Sequence, residues 1–218
     1  MSQIAARRLR AKMEHTSLQT IHEIKGEGFT HQYLWNCAKT LLLQPETKSP
    51  KDGYFQMAGM VMAYFVYEAY LNLVGARVDR EAWQNERQFF SRQPYRGTDG
   101  KLRRICEEIG IEIERDKRPF KTILELARLR NFLAHGKREV YAYDVDVKKG
   151  QDPDMFDGLS IYKMVTRTKS DRALIDIEEF IEYLHAKIAE KRPNDRMFKG
   201  KALKFPLALA FGGTKLSS

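Results

Sequence analysis

Cysteine is scarce in this chain, and the signals that it would carry are missing. Only two cysteines occur in 218 residues, Cys37 and Cys106, and neither has a second Cys or His at the spacing of metal ligands. This pattern indicates neither a disulfide framework nor a zinc site, and we expect no metal and no cofactor. Residues 1–12 are basic but lack the apolar central run of a secretory signal, so we expect a cytoplasmic protein.

The chain has the composition of a globular protein and an excess of positive charge. Hydrophobic residues make up 43% and charged residues 31%, which is typical of a folded protein. There are 38 Lys and Arg against 29 Asp and Glu, so the formal net charge is +9. This balance favours polyanions such as nucleic acid as partners, although many basic proteins bind none.

Hydrophobic periodicity predicts helices over most of the chain. Helical patterns cover residues 3–25, 30–43, 54–74, 80–91, 101–109, 122–135 and 174–191. Residues 140–147 alternate like a strand, and 159–168 are rich in β-branched and aromatic residues, with a turn-rich joint between them. The sequence therefore predicts an all-α helical bundle with a small β-hairpin insertion at about 139–168.

No repeat or clear linker divides the chain, so we expect one structural domain. Within it, N-terminal helices over 1–53 are expected to pack on a helical core over 54–192, followed by a C-terminal tail over 193–218. The tail combines lysines with the apolar run 205–211, which favours docking on its own domain or on a second copy.

The 54–74 segment is apolar on nearly every side for about the length that a bilayer requires. Gln56, Glu68 and Asn72 interrupt it with polar groups. A central helix surrounded by others gives the same pattern, so we interpret the segment as a core helix and expect no membrane partner.

Arg130 lies where the helix over 122–135 otherwise places hydrophobic side chains. The apolar residues of that helix fall on one arc, and Arg130 projects from its middle. A guanidinium stays charged in a protein, so it needs an acid, a hydrated cavity or an anionic ligand. This misfit is the first indication of a functional site.

Glu68 is the candidate partner for Arg130, because the 54–74 helix offers few other polar groups. Asn72 lies four residues later, hence on the same face, and we expect both to point inward. Glu68 would then orient Arg130 while Asn72 adds a hydrogen bond, leaving part of the guanidinium free for a phosphate. The alternative is a buried structural Glu–Arg pair without chemistry.

His135 ends the same helix beside Gly136, the expected stop, and can titrate near neutral pH. On an ideal helix Arg130 and His135 lie about 140° apart, whereas Arg128, Asn131 and His135 share a face. Either the last turn of the helix unwinds and brings Arg130 and His135 together, or a second copy of the protein completes the functional site. Geometry alone also leaves Arg128 open as the phosphate-binding arginine.

These residues resemble the HEPN family, the higher eukaryotes and prokaryotes nucleotide-binding domains. The family signature is an arginine, four to six residues, then a histidine, and the match here is Arg130-Asn131-Phe132-Leu133-Ala134-His135. The helix carrying Glu68 and Asn72 looks like the family's earlier helix. The resemblance covers about residues 54–191, and the N-terminal helices, hairpin and tail depart from a minimal domain.

The resemblance implies a HEPN-like helical bundle that pairs as a homodimer across a basic cleft. Many such members are metal-independent RNA-cleaving toxins or host-defence nucleases, some held inactive by an antitoxin protein. By this resemblance, Arg130 would neutralise the scissile phosphate and His135 would move a proton. Asn131 would position either group, and Glu68 would orient the arginine. The alternative is a catalytically inactive HEPN-like module for nucleic-acid or protein binding.

Lys137 and Arg138 follow His135 and would extend the positive rim along an RNA backbone. Further basic residues would either join this rim or be solvated surface charge: Arg103, Arg104, Arg115, Lys117 and Arg118. Tyr141 and Tyr143 would either stack on bases or pack within a strand.

Overall fold

A computed structural model describes residues 29–47, 50–136, 138–139 and 159–204. Within these ranges the chain forms helices and no strand, which confirms the all-α prediction there. The helices are α1 (Thr30–Leu42), α2 (Pro50–Val78), α3 (Arg80–Gln84), α4 (Glu86–Phe89), α5 (Gly97–Ile109), α6 (Phe120–His135), α7 (Ser160–Met164) and α8 (Arg167–Lys191). The helix predicted over 3–25 and the strand predicted over 140–147 lie outside the described residues.

The long helix α2 lies at the centre and contacts α1, α5, α6 and α8. It is apolar on nearly every side because neighbouring helices cover it, and Ala63, Val66, Leu71 and Val74 are fully buried. Its stretch Lys51–Val78 also has the length and hydropathy of a membrane span, but half of the most apolar window is buried inside the protein. That burial agrees with the interpretation as a core helix.

Two glycines allow close approaches to α2. A Cβ atom added at Gly59 would lie 2.5 Å from Leu42 Cγ, so α1 packs directly against the α2 backbone at this point. A Cβ added at Gly75 would lie 1.8 Å from the Trp83 ring, so Trp83 of α3 packs directly on the α2 backbone near the end of α2. Larger residues at either position would push these elements apart.

The second predicted strand, 159–168, is wrong. These residues form α7 and the start of α8, and α8 begins seven residues before the predicted start at Leu174. The Thr166 hydroxyl accepts a hydrogen bond from the Lys169 backbone N–H at 3.3 Å and so caps α8. Ile161, Met164 and Val165 pack against the core, so burial on a helical face outweighs their β propensity.

The other helix boundaries shift less. The predicted 80–91 helix breaks at Asn85 into α3 and α4, and α5 begins at Gly97 instead of Lys101. The 122–135 helix begins two residues earlier and ends at Gly136, whose φ of 25° suits a helix stop.

The C-terminal segment 194–204 returns to the bundle beside α1 and α8. Phe198, Ala202 and Leu203 are buried. The Nε2 atoms of His31 and Gln32 each donate to the Ala202 carbonyl at 3.1 Å. The tail thus docks on its own chain as far as residue 204, and the apolar run 205–211 lies outside the described residues.

Candidate active site

Helix α6 carries Arg130 to the edge of the core. Its apolar residues Ile123, Leu126 and Leu129 are buried, whereas Leu133 on the same arc is 37% exposed. The core therefore ends near Leu129, and Arg130 is half-buried with 38% of its side chain exposed. Arg130 therefore lies at the solvent-exposed edge of the bundle and not in the buried interior that its position on the apolar arc suggested.

Glu68 of α2 faces Arg130, as the sequence predicted. Arg130 Nη2 lies 3.9 Å from Glu68 Oε1, and the Glu68 side chain is 23% exposed. This distance exceeds that of a hydrogen-bonded pair, so the contact is a loose ion pair. Arg130 Nη1 also donates to Asn131 Oδ1 at 2.9 Å. Within the described part of the chain, this is the one hydrogen bond of the Arg130 side chain, although a guanidinium has five N–H donors.

Thr98 holds Glu68 in place, and no local sequence pattern marks it as a partner of Glu68. Its hydroxyl, in the first turn of α5, donates to Glu68 Oε1 at 2.7 Å, the same oxygen that faces Arg130. The buried Tyr64 hydroxyl lies one turn before Glu68 on α2. Burial raises the pKa of Tyr64, and the nearby Glu68 carboxylate raises it further. Tyr64 therefore stays a neutral neighbour of the carboxylate.

Asn72 does not reach Arg130. It is exposed, and its Oδ1 accepts from Lys101 Nζ at 2.7 Å. The Lys101 ammonium also pairs with Glu86 and lies 5.7 Å from the centre of the Phe90 ring. The expectation that Asn72 points inward and hydrogen-bonds Arg130 is therefore wrong, because Asn72 is exposed and its amide oxygen binds Lys101 of α5 instead.

His135 and Asn131 are exposed at the C-terminal end of α6. The helix is continuous to His135, so the last turn does not unwind. Arg130 and His135 keep their separation of about 140° around the helix axis. Among the described residues, no hydrogen bond or ion pair involves His135. A single copy thus presents the arginine and the histidine on different faces.

The other predicted RNA-binding residues divide into three cases. Arg128 is exposed and lines a separate cavity of about 230 Å³ with Glu125 and Lys169, away from Glu68. Arg138 is exposed. Lys137 lies outside the described residues, as do Tyr141 and Tyr143. Of the two candidate arginines on α6, the structure brings Arg130 to the carboxylate.

The additional basic residues do not form a free positive rim. Each pairs with a nearby acid: Arg103 with Glu107, Arg104 with Asp79 and Glu108, Arg115 with Asp99, Lys117 with Glu114, and Arg118 with Asp176. Their charges are locally offset, which makes them structural or solvated groups. Among the described residues, no group of three or more His, Cys, Asp or Glu side chains is placed to hold a metal ion.

Comparisons of the chain with family models, with curated proteins and with solved structures find no match. Any inference about function therefore depends on the residues and their geometry.

Proposed function

We propose that this protein is a metal-independent endoribonuclease of the HEPN type, acting on RNA in the cytoplasm. The observation that supports this most is the state of Arg130: a half-exposed guanidinium that lies 3.9 Å from Glu68 and, within the described residues, uses its donors in one side-chain hydrogen bond. A structural pair would use those donors inside the protein, whereas an anion-binding arginine keeps them available.

The proposed reaction is a transesterification within RNA. The 2′-oxygen attacks the adjacent phosphorus, the bond from phosphorus to the 5′-oxygen breaks, and a 2′,3′-cyclic phosphate and a 5′-hydroxyl result. His135 moves a proton, either from the attacking hydroxyl or to the leaving oxygen, and Arg130 stabilises the added charge on the phosphoryl oxygens. Glu68, fixed by Thr98, limits the positions that the guanidinium can take.

A homodimer would complete this site. Because α6 is continuous, one copy cannot direct Arg130 and His135 at the same phosphate. Leu133 and Ala134, between them in sequence, are exposed apolar side chains at the end of the buried arc. We propose that two α6 ends pack together here, so that the histidine of one copy approaches the arginine of the other. An antitoxin partner stays a prediction of the family resemblance.

A catalytically inactive RNA-binding module is the second candidate. One observation favours it: His135 is exposed and, among the described residues, makes no hydrogen bond that would fix its ring. An unpositioned imidazole is a poor proton-transfer group, while Arg130 would still bind phosphate.

Cleavage of single-stranded RNA in excess chelator separates the two candidates. We expect wild-type cleavage, with a loss of at least about 100-fold in Arg130→Ala and in His135→Ala. Lys121→Ala, an exposed cation in the first turn of α6, is the matched control and should cleave normally. Arg128→Ala decides between the two arginines, and we expect a small effect. RNA binding without cleavage by the folded wild type would favour the inactive module.

A further inference from the structure

A cavity with a basic rim lies on the opposite side of α2 from Glu68 and the Arg130 site. Its volume is about 1230 Å³, and it lies between α1, α2, α8 and the segment 194–204. Tyr70, Leu73 and Arg77 line it from α2, and their spacing places them on one helix face. Glu68 lies about 160° from Tyr70 around the α2 axis, so the cavity is separate from the Arg130 site.

The rim of this cavity is rich in positive charge. Among the described residues that line it, the one acid is Asp195, and it is bound by Arg77 at 2.6 Å. The remaining cations are exposed and have no ion pair within the described part of the chain: Arg196, Lys199, Lys201 and Lys204. Like charges around a concave surface repel one another and concentrate a positive potential inside it, which an anion would relieve.

The rim is fixed to the bundle, which distinguishes it from a loose lysine-rich tail. The Ala202 carbonyl accepts from His31 and Gln32 of α1, and the Leu203 backbone N–H donates to Glu182 of α8 at 3.1 Å. Phe198 is buried against the His185 ring, with the two ring centres 5.5 Å apart. The backbone that carries Lys199 and Lys201 between these anchors is therefore in place before any ligand arrives, which lowers the entropy cost of binding.

The floor of the cavity contains a buried histidine with one unsatisfied nitrogen. His185 is 5% exposed, and its Nδ1 lies 3.0 Å from the Tyr70 hydroxyl. If the hydroxyl donates, Nε2 carries the ring proton, and this atom has no hydrogen-bond partner within the described residues. Burial lowers the pKa of His185 and outweighs the opposing effects of the Glu182 carboxylate and of the Phe198 backbone, which lies near the ring without the geometry of a hydrogen bond to Nε2. A buried donor without an acceptor is costly, and a ligand oxygen or a bridging water would satisfy it.

We propose that this cavity binds a ligand carrying several phosphate groups. The clustered cations match several negative charges better than one, and the volume admits a nucleoside polyphosphate or a stretch of RNA backbone. These two sources share the same chemistry. The proposal does not depend on nuclease activity, because the cavity and the Arg130 site use different faces of α2.

Calorimetric titration of the full chain near physiological ionic strength tests the proposal. The probes are inorganic tripolyphosphate and a 2′-O-methylated RNA oligonucleotide, which the proposed transesterification cannot cleave. The variant K199E/K201E reverses two rim charges. The matched control, R92E/K121E, makes the same charge change at two exposed positions outside the cavity.

We expect the wild type to bind at least one probe and K199E/K201E to bind it at least about tenfold more weakly. The control should stay within about twofold of the wild type, and circular dichroism should show all proteins folded. A loss for tripolyphosphate alone identifies a free phosphate ligand, and a loss for the oligonucleotide identifies the RNA backbone; both support the proposal. Equal binding by wild type and K199E/K201E, or no binding of either probe by the wild type, would overturn it.

Discussion

Glu68→Gln separates a functional Glu–Arg contact from a structural one. The substitution removes the negative charge 3.9 Å from Arg130 Nη2 but keeps an oxygen to accept from the Thr98 hydroxyl. At this separation the gross Coulomb energy is about 1 kcal/mol in water and about 4 kcal/mol at an effective dielectric constant of 20. With 38% and 23% of the two side chains exposed, screening and desolvation offset most of that energy.

We therefore expect Glu68→Gln to lower the free energy of unfolding by less than about 1 kcal/mol. A sealed structural pair would instead lose about 3–5 kcal/mol when one partner is removed. Urea denaturation followed by circular dichroism measures this difference. The matched control is Glu112→Gln, an exposed carboxylate outside the site.

The same variant should slow RNA cleavage by about 10- to 100-fold, because the guanidinium loses the group that orients it. Single-turnover rates in chelator give this value. A loss of several kcal/mol in stability together with unchanged cleavage would refute the reasoning and assign the pair to the fold.

Three further predictions concern the bundle itself. In thiol labelling, Cys37 should react readily and Cys106 should react only in denaturant, because burial raises the pKa of Cys106 to about 12; two fast thiols in the native protein would contradict this. Gly75→Ala should destabilise by about 1–3 kcal/mol in thermal or urea unfolding, since its Cβ would overlap the Trp83 ring, although Gly→Ala in an open helix stabilises. The lowered pKa of His185 means that the unfolded state binds its proton first, so stability should fall as pH drops below about 6.5. His185→Asn should reduce that fall, and an unchanged pH profile of the melting temperature would count against it.

The helices were predictable because their periodicity is local. The spacing of apolar residues and the Gly and Pro residues at helix ends predict helix α1, the core of α2 and the end of α6 at Gly136. The approach of Glu68 to Arg130 was also predictable, since each is the conspicuous charge on an apolar helix face. Two side chains of opposite charge on neighbouring apolar helix faces gain by pairing, because each would otherwise be desolvated without a partner.

Other features depend on contacts between residues distant in sequence. Thr98 reaches Glu68 across 30 positions, and no local pattern marks it as a partner. The hydrogen bond from Lys101 to Asn72 was likewise not predictable, because it joins residues 29 positions apart. Residues 159–168 have the composition of a strand, yet a capping threonine and core packing make them helical.

Sequence periodicity places Arg130 deeper than the structure does, because the apolar arc of α6 continues beyond the core. Sequence shows which side chains share a face, but it does not show where the neighbouring helices stop covering that face. On α6 the neighbouring helices cover Leu129 but leave Leu133 exposed, so the core ends between these two residues. The same feature leaves room for a second copy in the proposed dimer.

The chemical identity of the cleaved RNA ends tests the central claim most directly. Wild-type protein in excess chelator should produce fragments with 2′,3′-cyclic phosphate and 5′-hydroxyl ends, and a single 2′-deoxy substitution should block the cut at that position. Arg130→Ala should remove these products. Fragments with 5′-phosphate ends, or cutting that persists at the deoxy position or without Arg130, would contradict the account.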